Sequence, residues 1–122
     1  MFFDTTVSCL NILIVRRNVE GIMRFENINI RRLLPMALAM DAIIVDVRST
    51  NRFGSGHIPM AVNLPLERIE KGYVSLPKNR TLILYCDTGG ASTKAAYKLS
   101  EMGYRVLNCV GGLKNYNGSL TK

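Results

Sequence analysis

The sequence predicts an α/β fold, with a mainly parallel sheet covered by helices, and three observations carry that expectation. Three apolar runs of strand length occupy residues 42–47 (AIIVDV), 81–85 (TLILY) and 105–110 (RVLNCV), each rich in Val, Ile and Leu. A strand that is apolar on both faces is buried on both faces, as in a parallel sheet between helical layers. Helical spacing separates the runs, and strand–helix–strand alternation is the pattern of parallel crossover units. A chain of 122 residues is most simply one domain and can bury a core without staples.

The elements follow in order. Residues 1–22 read as an N-terminal extension ahead of a domain over residues 23–122. Within the extension, residues 7–15 (VSCLNILIV) are apolar but broken by Ser8 and Asn11, and far too short to span a bilayer. Asp4 precedes this stretch and arginines follow it, the wrong order for a secretory leader. A strand or short helix packed on the domain is one expectation; the other is that Met23 is the natural start. Residues 25–28 are expected as a short strand. Residues 30–40 read as a helix carrying Leu33, Leu34, Leu38 and Met40 on broadly one side. Residues 42–47 then form a strand, residues 61–64 a shorter one, and residues 81–85 the next. Residues 92–102 read as a helix with Ala95, Ala96, Leu99 and Met102 at three- and four-residue spacing and Gly103 as its stop. Residues 105–110 supply the last strand.

The formal net charge is +7. Only Arg16–Arg17 and Arg31–Arg32 are adjacent basic residues, and no basic run with interleaved aromatics occurs, so nucleic acid is not an expected partner. Solvated surface is the expectation, with attraction of small anions as the alternative. Cys9, Cys86 and Cys109 are odd in number and far apart, no C-x-x-C pair exists, and His57 is the only histidine. No disulfide framework or metal site is expected. Free thiols point to a reducing, cytoplasmic setting, and no membrane association is expected.

Parallel strands end on one rim, and ligands bind there. Asp46 and Arg48 end one strand and Cys86 ends another, so a carboxylate, a guanidinium and a thiol share that rim. The segment after Cys86 reads Asp87, Thr88, Gly89, Gly90, Ala91, Ser92 and runs into the helix. A glycine turn before a helix aims several N–H groups at one spot and, with the helix dipole, makes a seat for an anion. Ser92 or Thr93 is expected to cap the helix. A cradle of that kind favours the thiolate of a cysteine at its centre, and the thiolate is the nucleophile. The loop alone is equally compatible with a buried, inert cysteine followed by an ordinary turn.

Four segments, in this order, resemble the rhodanese family of sulfurtransferases. Residues 43–48 (IIVDVR) resemble its strand with an Asp-x-Arg ending, and residues 53–65 (FGSGHIPMAVNLP) its Gly-His-Ile-Pro segment. Residues 82–92 (LILYCDTGGAS) resemble its active-site strand and loop, and residues 106–116 (VLNCVGGLKNY) its closing strand with a Gly-Gly pair and an aromatic. The resemblance covers residues 24–118. It implies a three-layer α/β/α fold around a central, mainly parallel five-stranded sheet. It also implies that Cys86 takes sulfane sulfur from a small anionic donor, thiosulfate or a persulfide, and passes it to a thiol or a protein acceptor. The amides of residues 87–92 would hold the terminal sulfur, with no metal or organic cofactor.

As the only histidine, His57 is a candidate general base; the resemblance gives it a structural role instead. Asp46 is expected to accept hydrogen bonds from loop N–H groups rather than to act as an acid. Arg48 either pairs with an acid or meets the substrate. Cys109 is expected in the core, a resolving thiol only if its side chain approaches Cys86. The family loop often reads Cys-x-x-Gly-x-Arg-Ser, and Ala91 stands at the arginine position. Lys94 either replaces that charge in part or is a solvated lysine. Met60 stands where the family prefers Gly, and Tyr116 where Trp is frequent; both read as packing variants. Two other functions are set beside this one. A related cysteine phosphatase or arsenate reductase would resemble Cys-x5-Arg, and position 92 is serine. A non-catalytic binding or regulatory module is the other.

Overall fold

The computed structural model describes residues 25–122. The expectations on residues 1–22, and on Met23 as a start, lie outside the described residues. Five parallel strands form one sheet: β1 (Glu26–Asn29), β2 (Ile43–Asp46), β3 (Val62–Asn63), β4 (Leu82–Tyr85) and β5 (Val106–Val110), in the order β1-β5-β4-β2-β3. Helices α1 (Leu33–Met40), α2 (Thr50–Ser55), α3 (Leu66–Glu70) and α4 (Gly90–Glu101) connect them, and 3-10 turns occupy Ile30–Arg32 and Leu113–Asn115. Among the described residues, no helix is long and apolar enough to cross a membrane.

The central strand explains the unbroken apolar runs. Side chains alternate along a strand, so Leu82, Leu84 and Cys86 enter the core cluster on the side of α3 and α4, with Val45, Ile69, Ala95 and Leu99. Ile83 and Tyr85 enter the opposite cluster with Ile44, Leu33, Ala37 and Ile58. Every residue of β4 is buried. The result is a three-layer α/β/α arrangement around a five-stranded sheet, as the sequence implied.

Two helices depart from expectation. In α1, Leu33 and Ala37 are buried but Leu38 is 70% exposed and Met40 39%. The stripe is therefore Leu33–Ala37, four residues apart; Leu38 lies well round the helix from Leu33. α4 begins two residues earlier than the apolar spacing indicates, at Gly90, with Gly89 as its N-cap. It ends as expected: Tyr104 N–H donates to Leu99 O at 3.0 Å and Gly103 N–H to Ser100 O at 3.0 Å, a Schellman closure. Neither α2 nor α3 is foreseen by the sequence pattern. α2 is started by Ser49, whose hydroxyl accepts from Arg52 N–H at 3.2 Å.

Candidate active site

Cys86 directly follows β4 at the carboxyl rim of the sheet. The chain then turns through Gly89, whose φ of 109° and ψ of −18° favour glycine. This turn points the Gly89 N–H back at the sulfur, where Cys86 Sγ accepts it at 3.0 Å. Ser92 sits in the first turn of α4, where backbone N–H groups have no partner within the helix. Its N–H also finds Cys86 Sγ, at 3.3 Å, and its hydroxyl lies 3.5 Å from that atom. Neither expected side-chain cap forms. The Ser92 and Thr93 hydroxyls instead donate to Gly89 O at 3.2 and 2.7 Å, because the helix already begins at Gly90. Asn108 steadies this arrangement from β5, its Nδ2 donating to Thr93 Oγ1 at 3.2 Å.

The turn after β5 braces this loop from the other side. Leu113 N–H donates to Cys86 O at 2.7 Å and Lys114 N–H to Asp87 O at 3.3 Å. Gly112 has φ 69°, and a Cβ there would run into the backbone of Asp87 and Thr88.

β2 delivers the charged wall. Asp46 is fully buried, and its carboxylate accepts Arg48 N–H at 2.9 Å, Arg48 Nε at 3.0 Å on each oxygen, and Arg48 NH2 at 2.6 Å. The same NH2 donates to Gly56 O at 2.7 Å. Burial alone would lower the Arg48 pKa; the Asp46 carboxylate more than offsets it and leaves the guanidinium raised and fixed as a cation. Tyr85 lies behind this pair. Its hydroxyl accepts Ile58 N–H at 3.0 Å, and burial beside Asp46 pushes the phenol up. Asp46 thus takes one loop N–H, that of Arg48, together with the Nε–NH2 edge of the guanidinium.

A pocket of about 320 Å³ opens over the sulfur, lined by Cys86, Asp87, Thr88, Ala91, Arg48 and Arg52 among others. Cys86 is only 3% exposed, yet it forms part of this lining. Of the residues read from the sequence, Gly89 and Ser92 contribute amides, Gly90 opens the helix, and Asp46 backs Arg48. Lys94 is exposed and is not among the lining residues. His57 is set apart: its ring stacks on Phe53 with centroids 3.7 Å apart, and its backbone pairs with Thr121 at 2.8 Å in both directions. Cys109 belongs to the cluster on the far side of the sheet. A resolving contact with Cys86 is thereby removed.

Arg52 is the residue that sequence reasoning misses. It lies four residues after Arg48, in the first turn of α2, and its NH2 is 2.9 Å from Asp87 Oδ1. The signal is present as Arg-Ser-Thr-Asn-Arg: Ser49 caps a helix whose first turn carries Arg52, while Arg48 stands just ahead of the cap, and both guanidiniums reach toward Asp87. Gly112 stands out in the sequence only as part of the closing strand, and its close approach to residues 87–88 is a tertiary fact.

At the carboxyl rim of a parallel sheet, then, a cysteine sulfur accepts two backbone amides beneath a pocket. Comparison with known proteins supplies a family. Residues 33–119 match the Rhodanese-like domain, and the chain belongs to that family. A protein named Sulfurtransferase from Allochromatium vinosum is 38% identical over 74 residues, 60% of this chain and 69% of that protein. Thiosulfate sulfurtransferase PspE from Escherichia coli is 38% identical over 73 residues, 58% of this chain and 70% of that protein. The crystal structure of a rhodanese homologue from the extremely thermophilic bacterium Thermus thermophilus superposes with a TM-score of 0.63 at 35% identity, covering 74% of this chain and 99% of that one.

Proposed function

We propose that this protein is a sulfurtransferase that carries sulfane sulfur as a persulfide on Cys86. The observation that carries the reading is the pair of amides, Gly89 at 3.0 Å and Ser92 at 3.3 Å, converging on Cys86 Sγ beneath an open pocket. Donors aimed at one sulfur in advance stabilise charge that appears there during transfer without reorganisation at that moment.

With thiosulfate as donor, the Cys86 thiolate attacks the outer sulfur. The Sγ–S bond forms as the bond to the sulfonate sulfur breaks, and sulfite departs with the electron pair. A thiol or protein acceptor then attacks the outer sulfur of the persulfide, and Sγ leaves as the thiolate. Arg48 and Arg52 meet the anionic part of the donor, a role the family often gives to an arginine at the position of Ala91. Asp46 holds Arg48 in place. The chemistry needs only the thiolate and its cradle, and a reducing compartment such as the cytoplasm suits it.

The test is intact mass after incubation with thiosulfate. Wild type is expected to gain one sulfur atom, and Cys86→Ser none. Unmodified wild type would favour the binding-module reading, to which Ala91 in the pocket wall is the one pointer. Phosphatase turnover measured on the same preparation is expected to be absent, since no arginine follows Cys86 within its loop.

A further inference from the structure

The pocket contains an anion of its own. Asp87 follows Cys86 directly, and its Oδ1 lies 2.9 Å from Arg52 NH2 and 3.6 Å from Arg48 NH1. Arg48 is already matched on its other side by Asp46, with NH2 to Oδ2 at 2.6 Å. Each guanidinium at the pocket is therefore answered by a carboxylate. Ala91 brings no charge, and Lys94 is not in the lining. The chain carries a formal +7, yet the charged side chains around this sulfur cancel.

Resting on the sulfurtransferase reading, we propose that Asp87 is the specificity-determining residue of the site. It offsets the guanidiniums that would welcome a dianionic donor, and so favours sulfane sulfur borne on a thiol, a persulfide R–S–SH, over thiosulfate.

The charge count of the two transfers decides the direction. A thiolate and thiosulfate bring three negative charges together, and all three remain until sulfite leaves. A thiolate and a persulfide bring two when the persulfide arrives ionised and one once it is protonated for attack, in either case fewer than three. The Sγ–S bond forms as the RS–SH bond breaks, the electron pair leaves on RS⁻, and the proton stays on the transferred sulfur. Asp87 adds a further negative charge beside either reaction. Repulsion grows with the product of the charges, so the penalty falls chiefly on the thiosulfate route. The Asp87 side chain is 40% exposed, so its ion pairs contribute little to folding. Its charge is still present at the pocket.

The test compares kcat/KM for thiosulfate and for cysteine persulfide, with the mass of Cys86 followed in parallel. In wild type the persulfide is expected to be preferred by about tenfold or more. Asp87→Asn is expected to move the ratio toward thiosulfate by about tenfold, and Asp87→Glu, which keeps the charge, to leave it within about threefold of wild type. A purely structural role would lower both donors together and leave the ratio fixed; that result overturns the proposal. So does a wild-type preference for thiosulfate, which needs no variant to observe. Wild type that takes sulfur from neither donor ends the sulfurtransferase reading and this proposal with it. Loading from both donors with an unmoved ratio in Asp87→Asn ends this proposal alone.

Discussion

Cys109 lies on β5 with its side chain packed among Ile28, Leu33 and Ile83 in one core cluster. Burial, and to a lesser degree the neighbouring Cys86, pushes its thiol from an ordinary 9.0 up to about 12. A thiol held neutral in the fold stabilises it fully below the ordinary pKa. Above that pH the unfolded chain loses the proton first, so stability falls as pH rises toward about 12. Cys109→Ala is expected to remove this component. Urea unfolding between pH 8 and 10 checks it: the wild-type midpoint should fall more steeply than that of the variant. Met60 is the second instructive residue. The sequence reads its departure from a preferred glycine as a packing variant; its φ of 73° corrects that, because the position constrains the backbone rather than the packing. A side chain in the left-handed region costs about 1 kcal/mol, and this one is 62% exposed with little packing to lose. Met60→Gly is expected to stabilise by about 0.5–1 kcal/mol, seen as a higher urea midpoint with an unchanged slope.

At the scale of elements, the site is two turns leaning on each other. The loop after β4 supplies the sulfur and its amides; the turn after β5 holds that loop by two backbone bonds and by the close approach of Gly112. Gly112→Ala puts a methyl group against the backbone of residues 87–88 and keeps a positive φ. A loss of about 2 kcal/mol or more is expected, with sulfur loading of Cys86 reduced beyond what the stability loss explains. Calorimetry and intact mass measured on one sample would separate the two effects. The strands are legible because burial on both faces writes a contiguous apolar run, as in LILY. α2 and α3, at six and five residues, are too short to repeat a helical period and so leave no pattern. The sequence places the start of α4 two residues late because Gly90 and Ala91 look like loop; the cap belongs to Gly89 and to its backbone. The stripe on α1 misleads because that helix is apolar on more than one side, and only packing selects Leu33 and Ala37 over Leu38.

Over the whole molecule, what the sequence makes legible is local and what it hides is not. Cys86 and its loop are contiguous, so the cradle can be foreseen. The meeting of Arg52 with Asp87, and of Gly112 with residues 87–88, depends on which strands are neighbours. Two core clusters share the sheet, and β4 belongs to both. Leu84, fully buried in its middle, is therefore expected to report on the entire fold. Leu84→Ala should cost about 2–5 kcal/mol. The chain should still unfold in one transition, with far-UV circular dichroism and tyrosine fluorescence coinciding.

The strand order has a consequence for synthesis. β1 pairs only with β5 among the described strands, Glu26 facing Leu107 and Asn29 facing Val110. A chain growing on the ribosome makes Glu26–Asn29 first and its neighbour last. For most of translation that segment lacks its one partner among the described strands, which leaves that edge a template for another nascent chain or a docking point for a chaperone. Slow elongation over residues 86–105 would lengthen that wait. Fusing a copy of β5 ahead of β1 would remove it.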